Sequence, residues 1–76
     1  MNTKNYMLIQ NIPHARKLYD LGLLKSNVTI LIDHITTKEY VFFSITRWGI
    51  QCRPSQSGTP INFDLMINTG RFYFEV

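Results

Sequence analysis

Val28-Thr29-Ile30-Leu31-Ile32 opens a stretch, running to Val76, in which apolar residues recur at every second position. Side chains two apart share one face of a strand, so this stretch reads as a sheet. One phase collects Val28, Ile30 and Ile32, then Val41, Phe43 and Ile45, then Ile61, Phe63, Leu65 and Ile67, then Phe72, Phe74 and Val76. The other phase reads Leu31, Tyr40, Phe42, Gln51, Arg53, Met66, Arg71 and Tyr73. The first phase is the expected core face. The second mixes aromatics, a methionine and arginines, and few residues remain to cover it. An uncovered face of that composition is a binding surface more often than plain solvated sheet.

Upstream of Gly22 the period changes to that of a helix. Asn11-Ile12-Pro13 is a helix start: Asn11 can cap free N–H groups, and Pro13 suits the first turn. The helix is expected to run to about Leu21, with Ile12, Ala15, Leu18 and Tyr19 on one stripe and His14, Arg16, Lys17 and Asp20 facing water. Gly22 is the expected left-handed C-terminal cap. Tyr6 to Gln10 is a short strand or a buried arm.

After the Lys25-Ser26-Asn27 turn, strands are expected over Val28–Ile35, Glu39–Thr46, Ile50–Arg53, Ile61–Asn68 and Arg71–Val76. Thr36-Thr37-Lys38 and Asn68-Thr69-Gly70 are read as hairpin turns. Gly49 suggests a bulge or a sharp bend. Pro54 to Pro60 is a loop by composition. Short connections favour pairing of sequential strands. The expected fold is therefore α+β in a single domain: one N-terminal helix packed on a four- to five-stranded antiparallel meander. The expected core is Leu18, Ile30, Ile32, Val41, Phe43, Phe63, Leu65, Phe72 and Phe74.

A chain of 76 residues buries only about 60% of its unfolded surface, so its core is thin. The five phenylalanines, four tyrosines and one tryptophan each bury a large area and offset this. Cys52 is the single cysteine, which excludes an internal disulfide and points to a reducing compartment, the cytosol. The opening residues lack the apolar run of a signal peptide, and no stretch is long enough to span a bilayer. Eight Lys/Arg against five Asp/Glu give a net charge of +3, but the positive residues are scattered, without the dense stripe typical of nucleic-acid domains.

No catalytic, cofactor or metal motif stands out. His14, His34, Cys52, Asp33 and Asp64 lack paired ligand spacing. Asp33 and His34 are adjacent on a strand and so point to opposite faces. Cys52 continues the inward phase of Ile50 and reads as a small hydrophobe rather than a nucleophile served by His34. The carboxylates are spread over four strands, without the close pair that general acid–base chemistry needs. The segment Ser55–Thr59 lacks the glycine pattern of a phosphate loop.

The run Ala15-Arg16-Lys17-Leu18-Tyr19-Asp20-Leu21-Gly22-Leu23, followed by the strand Val28 to Ile32, resembles the helix-to-strand passage of FeoA-type SH3-like domains. Arg47-Trp48-Gly49-Ile50-Gln51-Cys52-Arg53 loosely resembles their later strand. The resemblance covers under half the chain. Asn27 stands where that family has glycine, and the family's opening strands are missing before Asn11. The resemblance implies a sheet that curls toward a small barrel.

The functional expectation is stoichiometric binding to a larger protein or complex, as a small regulator or inhibitor and not an enzyme. Small phage and mobile-element proteins that block host machinery are similar in size and class, an analogy only. The expected partner-binding residues are Tyr40, Phe42, Trp48, Arg53, Arg71 and Tyr73, all but Trp48 on the sheet face away from the helix. Aromatics and arginine dominate protein interfaces. The same residues could stack and neutralise a single-stranded nucleic acid, the first alternative. A self-associating structural subunit, such as a homodimer, is the second.

Overall fold

The computed structural model describes residues 5–66 and 70–76. Its elements are β1 (Tyr6–Leu8), α1 (Ile12–Asp20), β2 (Ile30–Asp33), β3 (Glu39–Ile45), β4 (Gly49–Arg53), β5 (Ile61–Asp64) and β6 (Phe72–Glu75). The chain is a small α+β fold with one short helix on a six-stranded antiparallel sheet. Six strands replace the four or five expected, because the Tyr6–Leu8 arm pairs with β6.

The helix forms where the local signals place it. Asn11 Oδ1 accepts from the His14 N–H at 2.8 Å, and His14 Nδ1 accepts from the Gln10 N–H at 3.1 Å. These bonds satisfy donors that a helix N-terminus leaves free. At the other end Gly22 has φ +78°, with the Leu23 N–H donating to Leu18 O and the Gly22 N–H to Tyr19 O. That pairing is a Schellman closure, which needs the left-handed residue glycine supplies. Asn27 has φ +63°, the conformation that glycine prefers and asparagine tolerates.

The sheet order is β1-β6-β2-β3-β4-β5. β2 to β5 form the expected meander, but β6 does not lie beside β5. It inserts between β1 and β2. Phe72 and Phe74 have no exposed surface, which suits an interior strand, whereas Asn62 and Asp64 suit β5 to an edge. The sheet curls until the Phe63 ring on β5 lies 4.8 Å from the Phe72 ring on β6. It does not close: among the described residues, no backbone ladder joins β5 to β6 or β1.

Register corrects the expected phase. Leu31 pairs with both Tyr40 and Phe74, and Phe42 pairs with Cys52. These side chains share one face and pack with Ala15 and Leu18 of the helix in the core. Ile30, Ile32 and Val41 therefore point away from the helix. A β-bulge between Phe42 and Ser44 leaves Phe43 without a partner, and Ile45 opposite Ile50 returns to the inner face. No single phase could hold Val41, Phe43 and Ile45 together. Of the expected core, Leu18, Val41, Leu65, Phe72 and Phe74 are buried, and Phe63 is half-buried. Phe43 and Ile32 are half-buried on the opposite face, and Ile30 is 39% exposed there. The bulge lies at Phe43, while Gly49 closes the tight turn after Thr46: Thr46 N donates to Gly49 O at 2.8 Å. The expected Ile67 core position and the Asn68-Thr69 turn lie outside the described residues; Gly70 has the positive φ, +75°, that a turn there requires.

Candidate partner-binding face

The helix covers one face of the sheet, and no described element covers the other. Strand register places Tyr6 and Leu8 of β1, Tyr73 and Glu75 of β6, and Ile30 and Ile32 of β2 on that outer face. Glu39 and Val41 of β3, Gln51 and Arg53 of β4, and Asn62 and Asp64 of β5 continue it. Tyr6, Ile30, Ile32, Glu39 and Glu75 surround a shallow hollow of about 130 Å³.

The charge distribution on this face runs against that of the chain. Of five acidic residues, Glu39, Asp64 and Glu75 lie on the outer face; Asp20 is on the helix and Asp33 in the core. Among the described residues, Arg53 is the one cationic side chain at a strand position of the face, since Arg71 precedes β6 and turns to Asp33. Arg53 lies with its guanidinium 4.4 Å from the Phe43 ring centroid. Arg16 and Lys17 belong to the helix and Lys25 and Lys38 to loops. A protein of net charge +3 thus turns an acidic, apolar sheet face outward.

The six expected site residues do not form one surface. Phe42 is fully buried, and Tyr40 is 9% exposed. Both point to the helix side, which corrects their expected placement. The Tyr40 ring packs edge-on against Phe63 at 5.3 Å and Phe72 at 6.1 Å, and Phe42 meets Tyr19 of the helix at 6.0 Å. Arg53 and Tyr73 do lie on the outer face; the Tyr73 ring contacts His34 edge-on at 5.6 Å. Trp48 is 58% exposed in the β3–β4 turn, with the Arg47 guanidinium 5.9 Å from its ring.

Arg71 is committed to structure, not left free on the face. Its Nη2 donates to Asp33 Oδ2 at 2.6 Å and its Nε to the same oxygen at 2.9 Å. Asp33 has no exposed surface; its Oδ1 also accepts from the Ile35 N–H at 3.0 Å, and its Oδ2 from the Thr36 hydroxyl at 2.9 Å. The carboxylate therefore shapes the loop 34–38 and ties it to β6. The Arg71 guanidinium holds the Asp33 carboxyl well below the usual carboxylate range, against the opposing effect of burial. Asp33 in turn raises the pKa of Arg71.

Cys52 is enclosed, and its thiol is pushed up to about 12 by burial, with a further push from the negative charge of Asp33. Arg53 points to the opposite face and gives the thiol no activation. His34 lies in the turn after β2, and β3 separates β2 from the strand of Cys52. Among the described residues, no three His, Cys, Asp or Glu side chains gather as metal ligands, and no helix is long and apolar enough to cross a membrane.

Tyr6, Ile30, Ile32, Glu39, Asp64 and Glu75 lie on this face without being among the expected partner-binding residues. A signal for them was present. Glu39 begins β3 in phase with Val41, and Asn62 and Asp64 alternate with Ile61 and Phe63. Keeping the Glu39 carboxylate in water would have turned Tyr40 and Phe42 inward, although Asp33, buried against Arg71, runs against the same rule in β2. Compared with known protein families, curated proteins and solved structures, the chain matches none.

Proposed function

We propose that this chain is a non-enzymatic protein-binding module that docks a basic partner on its outer sheet face, as a small regulator or inhibitor of a larger protein or complex. The observation that supports this most is the placement of Glu39 and Glu75 beside the apolar strip of Tyr6, Ile30, Ile32 and Tyr73, with Asp64 at the far end of the same face. An apolar patch with a charged rim supplies burial and orientation together. Three carboxylates would repel a phosphate backbone, and the arginines that a nucleic acid would need lie on Phe43 or on Asp33. The same carboxylates would repel a second copy of the face. The cytosol suits a chain whose one cysteine is a buried free thiol.

The test is affinity capture from the native host with three baits of matched melting temperature: the native chain, Ile30→Ser with Glu39→Lys and Glu75→Lys, and the helix variant Lys17→Glu. A basic protein should be captured by the first and third baits and lost from the second. Capture that survives the sheet-face changes, or that disappears on nuclease treatment, contradicts it.

A further inference from the structure

We infer that the hollow between the β3–β4 turn and β5 receives an arginine side chain of the bound partner, an inference that rests on the protein-binding reading. This hollow, of about 320 Å³, lies at the end of the outer face remote from Tyr6 and is bounded by Thr46, Trp48, Gln51, Asn62 and Asp64. Its volume exceeds what a guanidinium and its methylene stem fill.

Three features select the occupant. First, Asp64 is the only charged residue among the described residues that line the hollow. Its Oδ1 accepts from the Met66 N–H at 2.8 Å, and the one ion pair among the described residues is Arg71–Asp33, so no described cation pairs with Asp64. Second, the Trp48 indole is an exposed aromatic wall. Arg47, which does not line the hollow, already rests its guanidinium 5.9 Å from that ring's centroid, so the indole accepts a planar cation. Third, Gln51 is oriented: its Oε1 accepts from the Ser44 hydroxyl at 2.7 Å, which fixes the amide beside Asn62, whose own carbonyl oxygen can accept from a donor-rich guest. A guanidinium meets all three conditions. It is flat enough to stack, carries a full charge for Asp64, and has five N–H donors. A lysine ammonium satisfies the charge but cannot stack as a plane, and a phosphate meets a carboxylate.

Trp48 is the only tryptophan, so its fluorescence reports on the hollow directly. The full chain is titrated with arginine capped at both ends, and with capped citrulline and capped lysine; the Asn62 side-chain amide is followed by NMR. The result expected is saturable binding of capped arginine in the millimolar range, with citrulline weaker by about ten-fold or more because the charge-assisted bond is lost. Asp64→Asn, which keeps the acceptor for Met66 N–H, should weaken capped arginine to a similar degree, and Glu39→Gln should not. Citrulline binding as tightly as arginine, an unaffected Asp64→Asn variant, no saturable response, or tighter binding of adenosine monophosphate each overturns the inference. If the hollow fails while the sheet-face variants still lose the captured partner, the protein-binding reading stands without it.

Discussion

Phe42 has no exposed surface and bridges the helix to the sheet through Tyr19. Removing its ring leaves a cavity that a thin core cannot collapse into, so Phe42→Ala should cost about 3–5 kcal/mol and melt the domain at ambient temperature. Thermal unfolding followed by circular dichroism checks this; an unchanged transition would place Phe42 outside the core. Asp33 and Arg71 make a second, polar anchor. Arg71→Ala leaves a buried carboxylate short of its cation and should destabilise by about 3 kcal/mol. The pH dependence follows from the sign of the shift. The Asp33 carboxyl is held below its unfolded value of about 3.9, so below about pH 4 the unfolded chain takes up a proton that the folded chain refuses. Its stabilisation is full above that pH and is lost as the pH falls further. The melting temperature should therefore drop on acidification below about pH 4, and drop less steeply in Asp33→Asn.

Elements differ in how far the sequence specifies them. The helix was legible to within a residue because its signals are local: Asn11 caps, Pro13 opens, and Gly22 closes at φ +78°. The strands were legible as strands, but not their faces. In β2 and β3 both phases are apolar, Ile30 and Ile32 against Leu31, Val41 and Phe43 against Tyr40 and Phe42, so alternation alone could not choose. The choice is made by non-local contacts: the Leu31–Phe74 pair, and Asp33 turned inward to meet Arg71. A bulge at Phe43 then shifts the phase within one strand, which no alternation pattern anticipates. These two effects explain why Arg53 and Tyr73 fell on the outer face as expected while Tyr40 and Phe42 did not. Gly49 shows a residue whose purpose is visible only in the assembled element. A Cβ there would lie 1.9 Å from the Phe63 carbonyl oxygen, so β4 and β5 approach too closely for any side chain. Gly49→Ala should prise β5 from β4, at a cost of at least about 1–3 kcal/mol. Amide hydrogen exchange should show lost protection in Ile50–Cys52 and Ile61–Phe63, with the helix retaining its own; unchanged β4–β5 protection would contradict the close approach.

At the scale of the whole molecule, the fold sorts its charges. A basic chain keeps Arg16 and Lys17 on its helix, spends Asp33 and Arg71 on an internal tie, and presents Glu39 and Glu75 around an apolar strip, with Asp64 at the far end of that face. The short outer strands β1 and β5 carry few unpaired backbone groups, and β5 is further guarded by Asn62 and Asp64, so the edges offer little to an added strand. The central claim is that this face, and not the helix, meets that partner. Its most direct measurement is an NMR map of the isotope-labelled chain titrated with the captured partner, read by chemical shift and cross-saturation. Tyr6, Ile30, Ile32, Glu39 and Tyr73 should be perturbed together while Arg16, Lys17 and Asp20 are not. Perturbation centred on the helix, with the sheet face silent, would contradict it.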